Sequence, residues 1–160
     1  SVRLAECDGA AIAREAIEAV QGIAADRGVA LAIEGGAEVP VSCDKDRVLQ
    51  VLSNLLSNAI QVTEAGGRVG VAVLAAEAEA VFTVSDTGPG IPAEDLAHLF
   101  ERWYRGRRAR YPGSGLGLAI ARAIVDAHRG RIWADSKEGE GSAFSFALPV
   151  PRRAQASATG

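Results

Sequence analysis

Three short segments of the chain concentrate residue types that could bind a nucleotide. Residues 54–60 hold two asparagines, residues 86–92 hold an acidic residue followed by glycines and prolines, and residues 113–118 hold three glycines. Each segment alone is common in proteins. In this order and spacing they predict one site, made of a polar helix face, an acidic strand end and a glycine-rich loop that leads into a helix.

The two asparagines lie on a predicted helix over residues 45–64, for which Asp44 is a good N-cap. Asparagine is a poor helix former, so two of them inside one helix require a reason. Asn54 and Asn58 lie one turn apart, and both amide oxygens can face one Mg²⁺ ion whose charge a triphosphate already offsets. The alternative is a solvated polar stripe, formed by Arg47, Gln50, Asn54, Asn58 and Gln61.

Asp86 is the last residue of a predicted strand that begins at Val81, and Gly88 and Gly90 break the chain after it. A carboxylate at this position accepts a hydrogen bond from an amino group deep in a pocket. Adenine carries an amino group where guanine carries a carbonyl, so the carboxylate favours adenine. The alternative is an ordinary turn, since Asp, Gly and Pro are common turn residues.

The third segment brings glycines to the start of a helix predicted over residues 116–128. Glycines let backbone N–H groups approach a phosphate closely, and the helix start adds the positive end of its dipole. The spacing matches neither a P-loop nor a dinucleotide-binding fingerprint. The preceding residues 102–110 contain five arginines, which either contact phosphate or form a solvated basic loop. A flexible linker remains the alternative for the glycines.

The elements that must position these segments mix strands and helices without strict alternation, which predicts an α/β fold. We expect a two-layer sandwich with one mixed, mostly antiparallel sheet and helices on one face. Residues 1–150 are predicted to form one domain, and residues 151–160, small and polar, a disordered tail. The predicted strands cover residues 2–6, 29–33, 39–43, 69–74, 81–85, 131–135 and 143–148, and the predicted helices residues 9–26, 45–64, 93–100 and 116–128.

Composition narrows the function classes. The chain has 160 residues, 48% hydrophobic and 23% charged, with a net charge of −3. This fits one globular domain and gives no sign of a nucleic-acid or lipid partner. No apolar run is long enough to span a membrane, and we expect a cytoplasmic fragment of a longer protein, which elsewhere can carry a membrane anchor. Cys7 and Cys43 are expected to be buried thiols in a reducing compartment.

The three segments, with residues 99–105 between the second and third, resemble the N, G1, F and G2 boxes of the catalytic ATP-binding domain of sensor histidine kinases. Residues 127–132 and 141–149 resemble the last two strands of that family. The resemblance covers about residues 2–149. It implies the Bergerat fold of the GHKL superfamily, shared with DNA gyrase and mismatch-repair ATPases, and ATP and Mg²⁺ as cofactors.

The resemblance also implies roles for individual residues. Asn58 is the principal Mg²⁺ ligand with Asn54 in support, Asp86 binds the adenine amine, and Arg105 contacts the γ-phosphate. The remaining ATP-binding positions are Gln61, Val62, Gly88, Gly90, Ile91, Gly113, Ser114, Gly115, Leu116, Gly117 and Leu118. At the position of Gln61 the family often has a basic residue, and at the position of Val62 an aromatic residue or histidine. We therefore predict weaker nucleotide affinity than in a typical member.

The implied activity is transfer of the ATP γ-phosphoryl group to a histidine, as one half of a two-component autokinase. Neither His98 nor His128 lies in a pattern typical of the acceptor. The acceptor is therefore expected on a separate dimerisation and histidine-phosphotransfer domain, through which a response regulator also binds. We expect this fragment to be monomeric and inactive alone, and the full-length protein to be a homodimer.

Three alternatives share the fold. A gyrase-type or mismatch-repair ATPase has a glutamate at the position of Asn54, and an amide cannot act as a general base. A serine kinase of the anti-sigma-factor type is less well matched by the glycine-rich segment and by the residues that precede it. A degenerate domain, which binds nucleotide or partners without chemistry, is favoured only by the departures at Gln61 and Val62.

Overall fold

The computed structural model describes residues 1–101 and 117–151. Residues 102–116 and 152–160, which include most of the glycine-rich segment and the predicted tail, lie outside the described residues. The elements in chain order are β1 (Ala5–Asp8), α1 (Gly9–Asp26), β2 (Ala30–Glu34), β3 (Pro40–Cys43), α2 (Lys45–Val62), β4 (Arg68–Ala76), β5 (Glu79–Asp86), α3 (Ala93–Leu96), α4 (Gly117–Ala127), β6 (Arg131–Ser136) and β7 (Ser142–Pro149).

Two predicted helices end two or more residues earlier than expected. The backbone of Thr63 is extended, and its hydroxyl donates to the Ala59 carbonyl at 2.7 Å, so α2 ends at Val62. The helix predicted over residues 93–100 is α-helical only as far as Leu96. Beyond Leu96 the backbone forms turns that are closed by hydrogen bonds between residues i and i+3, such as the bond from the Glu101 N–H to the His98 carbonyl. Such turns do not continue an α-helix.

The strands form a five-stranded sheet in the order β2-β4-β5-β7-β6, in which only β2 and β4 are parallel. This confirms the predicted mixed, mostly antiparallel sheet. The prediction of a single sheet was wrong, because β1 and β3 pair antiparallel with each other in a separate sheet. Each of these two strands runs directly into a helix, at Asp8 and Asp44, and so lies beside the helix N-termini.

Helices α1, α2 and α4 pack on one face of the five-stranded sheet. On that face, Phe82 of β5 and Phe146 of β7 stack with ring centroids 4.7 Å apart. On the opposite face Leu74 is 63% exposed, which confirms the two-layer sandwich. The sheet residues buried beneath the helices alternate along the strands and include Val69, Val71, Val73, Phe82, Val84, Phe144, Phe146 and Leu148.

The two cysteines are distant in sequence but lie on paired strands. Cys7 is opposite Val41, and Cys43 is opposite Ala5, so the two thiols share one face of the small sheet. Cys43 is buried as expected, whereas Cys7 is half-buried and its thiol donates to the Cys43 carbonyl at 3.9 Å. Burial and the neighbouring Cys7 raise the pKa of Cys43 to about 12, so Cys43 is a thiol at neutral pH.

His128 joins the end of α4 to the start of α2. Its imidazole is 4% exposed, and Nδ1 lies 2.8 Å from the Ile124 carbonyl, which can only accept a hydrogen bond. Nδ1 therefore carries the hydrogen, and Nε2 accepts the backbone N–H of Asp44 at 3.0 Å. Since Asp44 is the N-cap of α2, this ring fixes the C-terminal end of α4 against the first turn of α2.

Candidate nucleotide-binding site

Asp86 is the last residue of β5 and is 7% exposed. Its Oδ1 accepts the Gly88 N–H at 2.9 Å. Ser142, the partner of Asp86 on β7, brings a second backbone N–H near the carboxylate. Its Oδ2 is buried and has no hydrogen-bond partner in the described part of the chain. Burial raises the pKa of Asp86 above its ordinary value of 3.8, against the lowering effect of the two backbone N–H groups.

A buried carboxylate oxygen without a partner is costly, because folded proteins pair nearly all of their buried polar atoms. The oxygen can only accept a hydrogen bond, so a donor such as a ligand amino group would satisfy it. Asp86 thus has one oxygen bonded to the backbone and one buried oxygen without a partner in the described residues.

A cavity of about 360 Å³ lies beside the segment that follows this carboxylate, and Asp86 itself is not among its lining residues. The volume suits a base or a similar small molecule. Its walls come from the end of α2, the loop before β4 and the segment after Asp86: Val62, Glu64, Ala65, Gly67, Thr87, Gly88 and Pro89. Of these, only Val62 and Gly88 were predicted from the sequence. Gly67 lies in the loop before β4, and its position beside Thr87 depends on the pairing of β4 with β5.

Gly88 and Gly90, both predicted as ATP-binding positions, have different neighbours. A Cβ on Gly88 would lie 2.9 Å from the Val62 carbonyl and 3.0 Å from Asp86 Oδ1, so only glycine lets the chain pass between them. Gly90 has a positive φ of 77°, and a Cβ there would overlap the Lys137 backbone. Gly88 therefore borders the carboxylate, whereas Gly90 packs the loop against the β6–β7 turn.

One amide side chain of α2, that of Asn54, lies at the start of α4. Asn54 and Asn58 are half-buried, one turn apart, while Gln61 is exposed and Val62 is half-buried. The Asn54 side-chain nitrogen donates to the Gly117 carbonyl at 3.2 Å, which links α2 directly to the first residue of α4.

A cation at the end of α2 could not be predicted from the sequence. Arg27, which follows α1, donates from Nε to the Ile60 carbonyl at 3.3 Å and from Nη2 to the Gln61 carbonyl at 3.0 Å. A positive charge there complements the negative end of the helix dipole and the otherwise unpaired carbonyls.

The remaining predicted residues that the structure describes do not line this cavity. Ile91 is 3% exposed and belongs to the hydrophobic core, where its N–H donates to Ser136 Oγ at 2.7 Å. Leu118 is also a core residue, so only its backbone is available to a ligand. The predicted residues Arg105, Gly113, Ser114, Gly115 and Leu116 lie outside the described residues.

A two-layer sandwich with a buried strand-end carboxylate, a cavity lined by the residues that follow it, and an amide bonded to a helix start has the architecture of an ATP-binding catalytic domain. The chain belongs to the family described as "Histidine kinase-, DNA gyrase B-, and HSP90-like ATPase", whose family model matches residues 43–152. Its relatives are sensor kinases, in agreement with the predicted resemblance.

Two curated relatives illustrate this similarity. The chain is 46% identical over 123 residues to the adaptive-response sensory kinase SasA of Synechococcus sp. (strain JA-2-3B'a(2-13)), covering 72% of the chain and 33% of that protein. It is 45% identical over 114 residues to the sensor histidine kinase WalK of Bacillus subtilis (strain 168), covering 68% and 19%. The chain thus spans about a third of the first relative and about a fifth of the second.

Solved structures give the same assignment. Full-length ShkA in complex with AMPPNP superimposes with a TM-score of 0.84 at 30% identity, covering 94% of this chain and 32% of that one. The histidine kinase ThkA in complex with the response regulator protein TrrA gives a TM-score of 0.79 at 26% identity, covering 94% and 42%. In the described ranges, no helix has both the length and the apolar content needed to cross a bilayer.

Proposed function

We propose that this chain binds ATP with Mg²⁺ and transfers the γ-phosphoryl group to a histidine on a separate dimerisation domain, as the catalytic domain of a two-component sensor histidine kinase. The observation that carries the proposal is the buried, unpartnered Oδ2 of Asp86, together with the cavity lined by the two residues that follow it, Thr87 and Gly88. The exocyclic amine of adenine is a donor that would satisfy this oxygen, and guanine offers a carbonyl instead.

The donor set also fits a magnesium ion that arrives with a triphosphate. Asn58 would be the principal ligand, with the oxygen of Asn54 in support, since Mg²⁺ takes oxygen ligands and keeps several from water and phosphate. Among the described residues no group of three or more acidic, histidine or cysteine side chains could hold a metal alone. Mg²⁺, when bound, would offset the charge of the triphosphate.

Phosphoryl transfer requires positioning and charge neutralisation more than covalent chemistry from the protein. In this proposal Asp86 and Gly88 hold the base, Val62 covers its face, and the backbone N–H groups at Gly117 and Leu118 face the phosphates. Arg105 and the residues Gly113, Ser114, Gly115 and Leu116 stay predicted phosphate contacts on sequence grounds.

The proposed partners lie outside this chain. The acceptor histidine would belong to a dimerisation and histidine-phosphotransfer domain of the same protein, through which a response regulator binds. The complex of ThkA with TrrA supports a partner of this kind. We propose a cytoplasmic location, a monomeric domain over residues 1–150 and a homodimeric full-length protein.

The proposal is tested in two steps. Calorimetric titration should give ATP binding and no GTP binding at the same concentrations. Adding the dimerisation domain of the full-length protein should then give phosphohistidine, whereas this chain alone should hydrolyse ATP only slowly. Equal binding of GTP would contradict the adenine pocket, rapid hydrolysis by the isolated chain would favour an ATPase, and binding without transfer would favour the degenerate domain.

Val62→Tyr should tighten ATP binding about tenfold, because stacking of a base on an aromatic ring contributes about 1–3 kcal/mol. Val62 lines the cavity and is half-buried, but its aliphatic side chain cannot stack on adenine. Calorimetry on wild type and on the variant measures this gain in ATP affinity. For wild type we expect a dissociation constant weaker than micromolar. Leu74→Tyr on the opposite sheet face is the control and should leave the affinity unchanged. Micromolar binding by wild type, or no gain in the variant, would contradict the prediction.

A further inference from the structure

Side chains join α2 and α4 at both ends of α4. At the C-terminal end, His128 accepts the backbone N–H of Asp44 at 3.0 Å. At the N-terminal end, the side-chain nitrogen of Asn54 donates to the carbonyl of Gly117 at 3.2 Å. The two bonds hold α4 at one position along α2, and the second bond lies inside the proposed nucleotide site.

The chemistry of this second bond fixes which way the Asn54 amide points. The Gly117 carbonyl can only accept, so the nitrogen must face it and the oxygen must face away. Gly117 is the first residue of α4, and its carbonyl also accepts the N–H of Ala121 in the first helical turn. A carbonyl oxygen has two lone pairs and can hold both donors.

We infer that Asn54 is a positioning residue that fixes the N-terminus of α4, and with it the end of the glycine-rich segment, before nucleotide or metal binds. The inference rests on the proposed function, in which the first N–H groups of α4 face the phosphates. Those N–H groups have no intrahelical partners, and their direction depends on how the first turn is held. Asn54 holds that turn from α2, the helix that also carries Asn58.

This role uses the nitrogen of the amide, whereas support of a metal uses the oxygen. Asn54→Asp separates the two, because the carboxylate keeps an oxygen for the metal and loses the N–H donor. It also brings a negative oxygen against the Gly117 carbonyl. Asn54→Ala removes the donor without adding charge and serves as the second variant.

The first experiment measures amide hydrogen exchange in the absence of nucleotide and with EDTA present. Both Asn54 variants should accelerate exchange at Ala121 about tenfold or more, through local opening of the first turn, without faster exchange in α1. Asn58→Asp, the same substitution one turn further along α2, is the matched control and should leave Ala121 unchanged. Wild-type exchange at Ala121 in both Asn54 variants would overturn the inference.

The second experiment measures the affinity for ADP by calorimetry, with EDTA and with Mg²⁺. Both Asn54 variants should bind ADP about tenfold more weakly even with EDTA, because the first N–H groups of α4 would no longer be held towards the phosphates. A tenfold loss corresponds to about 1.4 kcal/mol. Gln50→Glu, exposed on the same stripe, controls for added charge and should bind as wild type does. A loss confined to the Mg²⁺ arm would assign Asn54 to the metal alone. If wild type binds no ADP, the proposed function fails, while the exchange experiment still decides the role of Asn54.

Discussion

Asp86→Asn should lower the affinity for ATP at least about a hundredfold, or about 2.7 kcal/mol. The N–H of Gly88 donates to Oδ1, so the new amide must place its oxygen there. Its NH₂ group then takes the position of Oδ2, the buried oxygen without a partner. The adenine amine would meet a donor instead of an acceptor, which leaves both groups unpaired.

The same substitution should leave the nucleotide-free domain at least as stable as wild type. Burial raises the pKa of Asp86 in the folded state above its ordinary value of 3.8. The folded state therefore binds this proton more readily than the unfolded state, and the charged form costs stability at neutral pH. That cost grows as the pH rises from about 3.8 through the raised pKa, and it disappears at lower pH. Asparagine carries no charge and avoids it.

Calorimetry with ATP and inosine triphosphate, together with urea unfolding at neutral pH, checks both effects. Inosine carries a carbonyl in place of the adenine amine, so Asp86→Asn should shift the preference towards inosine triphosphate. Asp135→Asn, an identical change at an exposed position of β6, is the control. ATP affinity within about threefold of wild type would remove the basis of the proposed adenine pocket.

Gly141→Ala should destabilise the domain by about 3 kcal/mol or more. Gly141 has a positive φ of 92°, which is unfavourable for alanine. A Cβ there would also overlap the backbone carbonyl of Asp86. Because β7 begins at the next residue, Ser142, the strand pair cannot move away without losing its register with Asp86.

Gly139→Ala provides the matched control in the same turn. Gly139 has a similar φ of 86°, but a Cβ there would meet no atom within 4 Å. This variant should lose only about 1 kcal/mol, which is the conformational cost of alanine at a positive φ. Urea unfolding of both variants measures the difference, and ATP titration should detect a further loss only in Gly141→Ala, because its methyl group displaces Asp86. Equal destabilisation of the two variants would contradict the role of the close contact.

Much of the fold and part of the candidate site could be predicted because their signals are local. Asp44 caps α2, the apolar spacing along α2 matches a helix, and Gly88 and Gly90 follow the end of β5 directly. The family resemblance rests on the same short segments. These signals predicted Asp86 as a strand-end carboxylate next to a chain break.

What could not be predicted depends on residues that are far apart in sequence. Asn54 and Gly117 are separated by 63 positions, and Arg27 and Ile60 by 33, so no periodicity or cap rule links them. The separate β1–β3 sheet has the same origin, because a four-residue strand pattern does not specify its partner. The bond from the Gly88 N–H to Asp86 Oδ1 is local, whereas the burial of the unpartnered Oδ2 depends on packing between distant elements, such as the pairing of β5 with β7.

The pairing of β5 with β7 also determines when this domain can complete its fold during translation. Thr83 and Ser145, which hydrogen-bond across the two strands, are 62 residues apart. When only the first half of the domain has left the ribosome, the nascent chain exposes one edge of β5. Phe82 then lacks the ring of Phe146 against which it packs. The core can close only after the chain up to Pro149, the end of β7, has left the ribosome. A nascent chain stalled before that point should therefore be a substrate for chaperones.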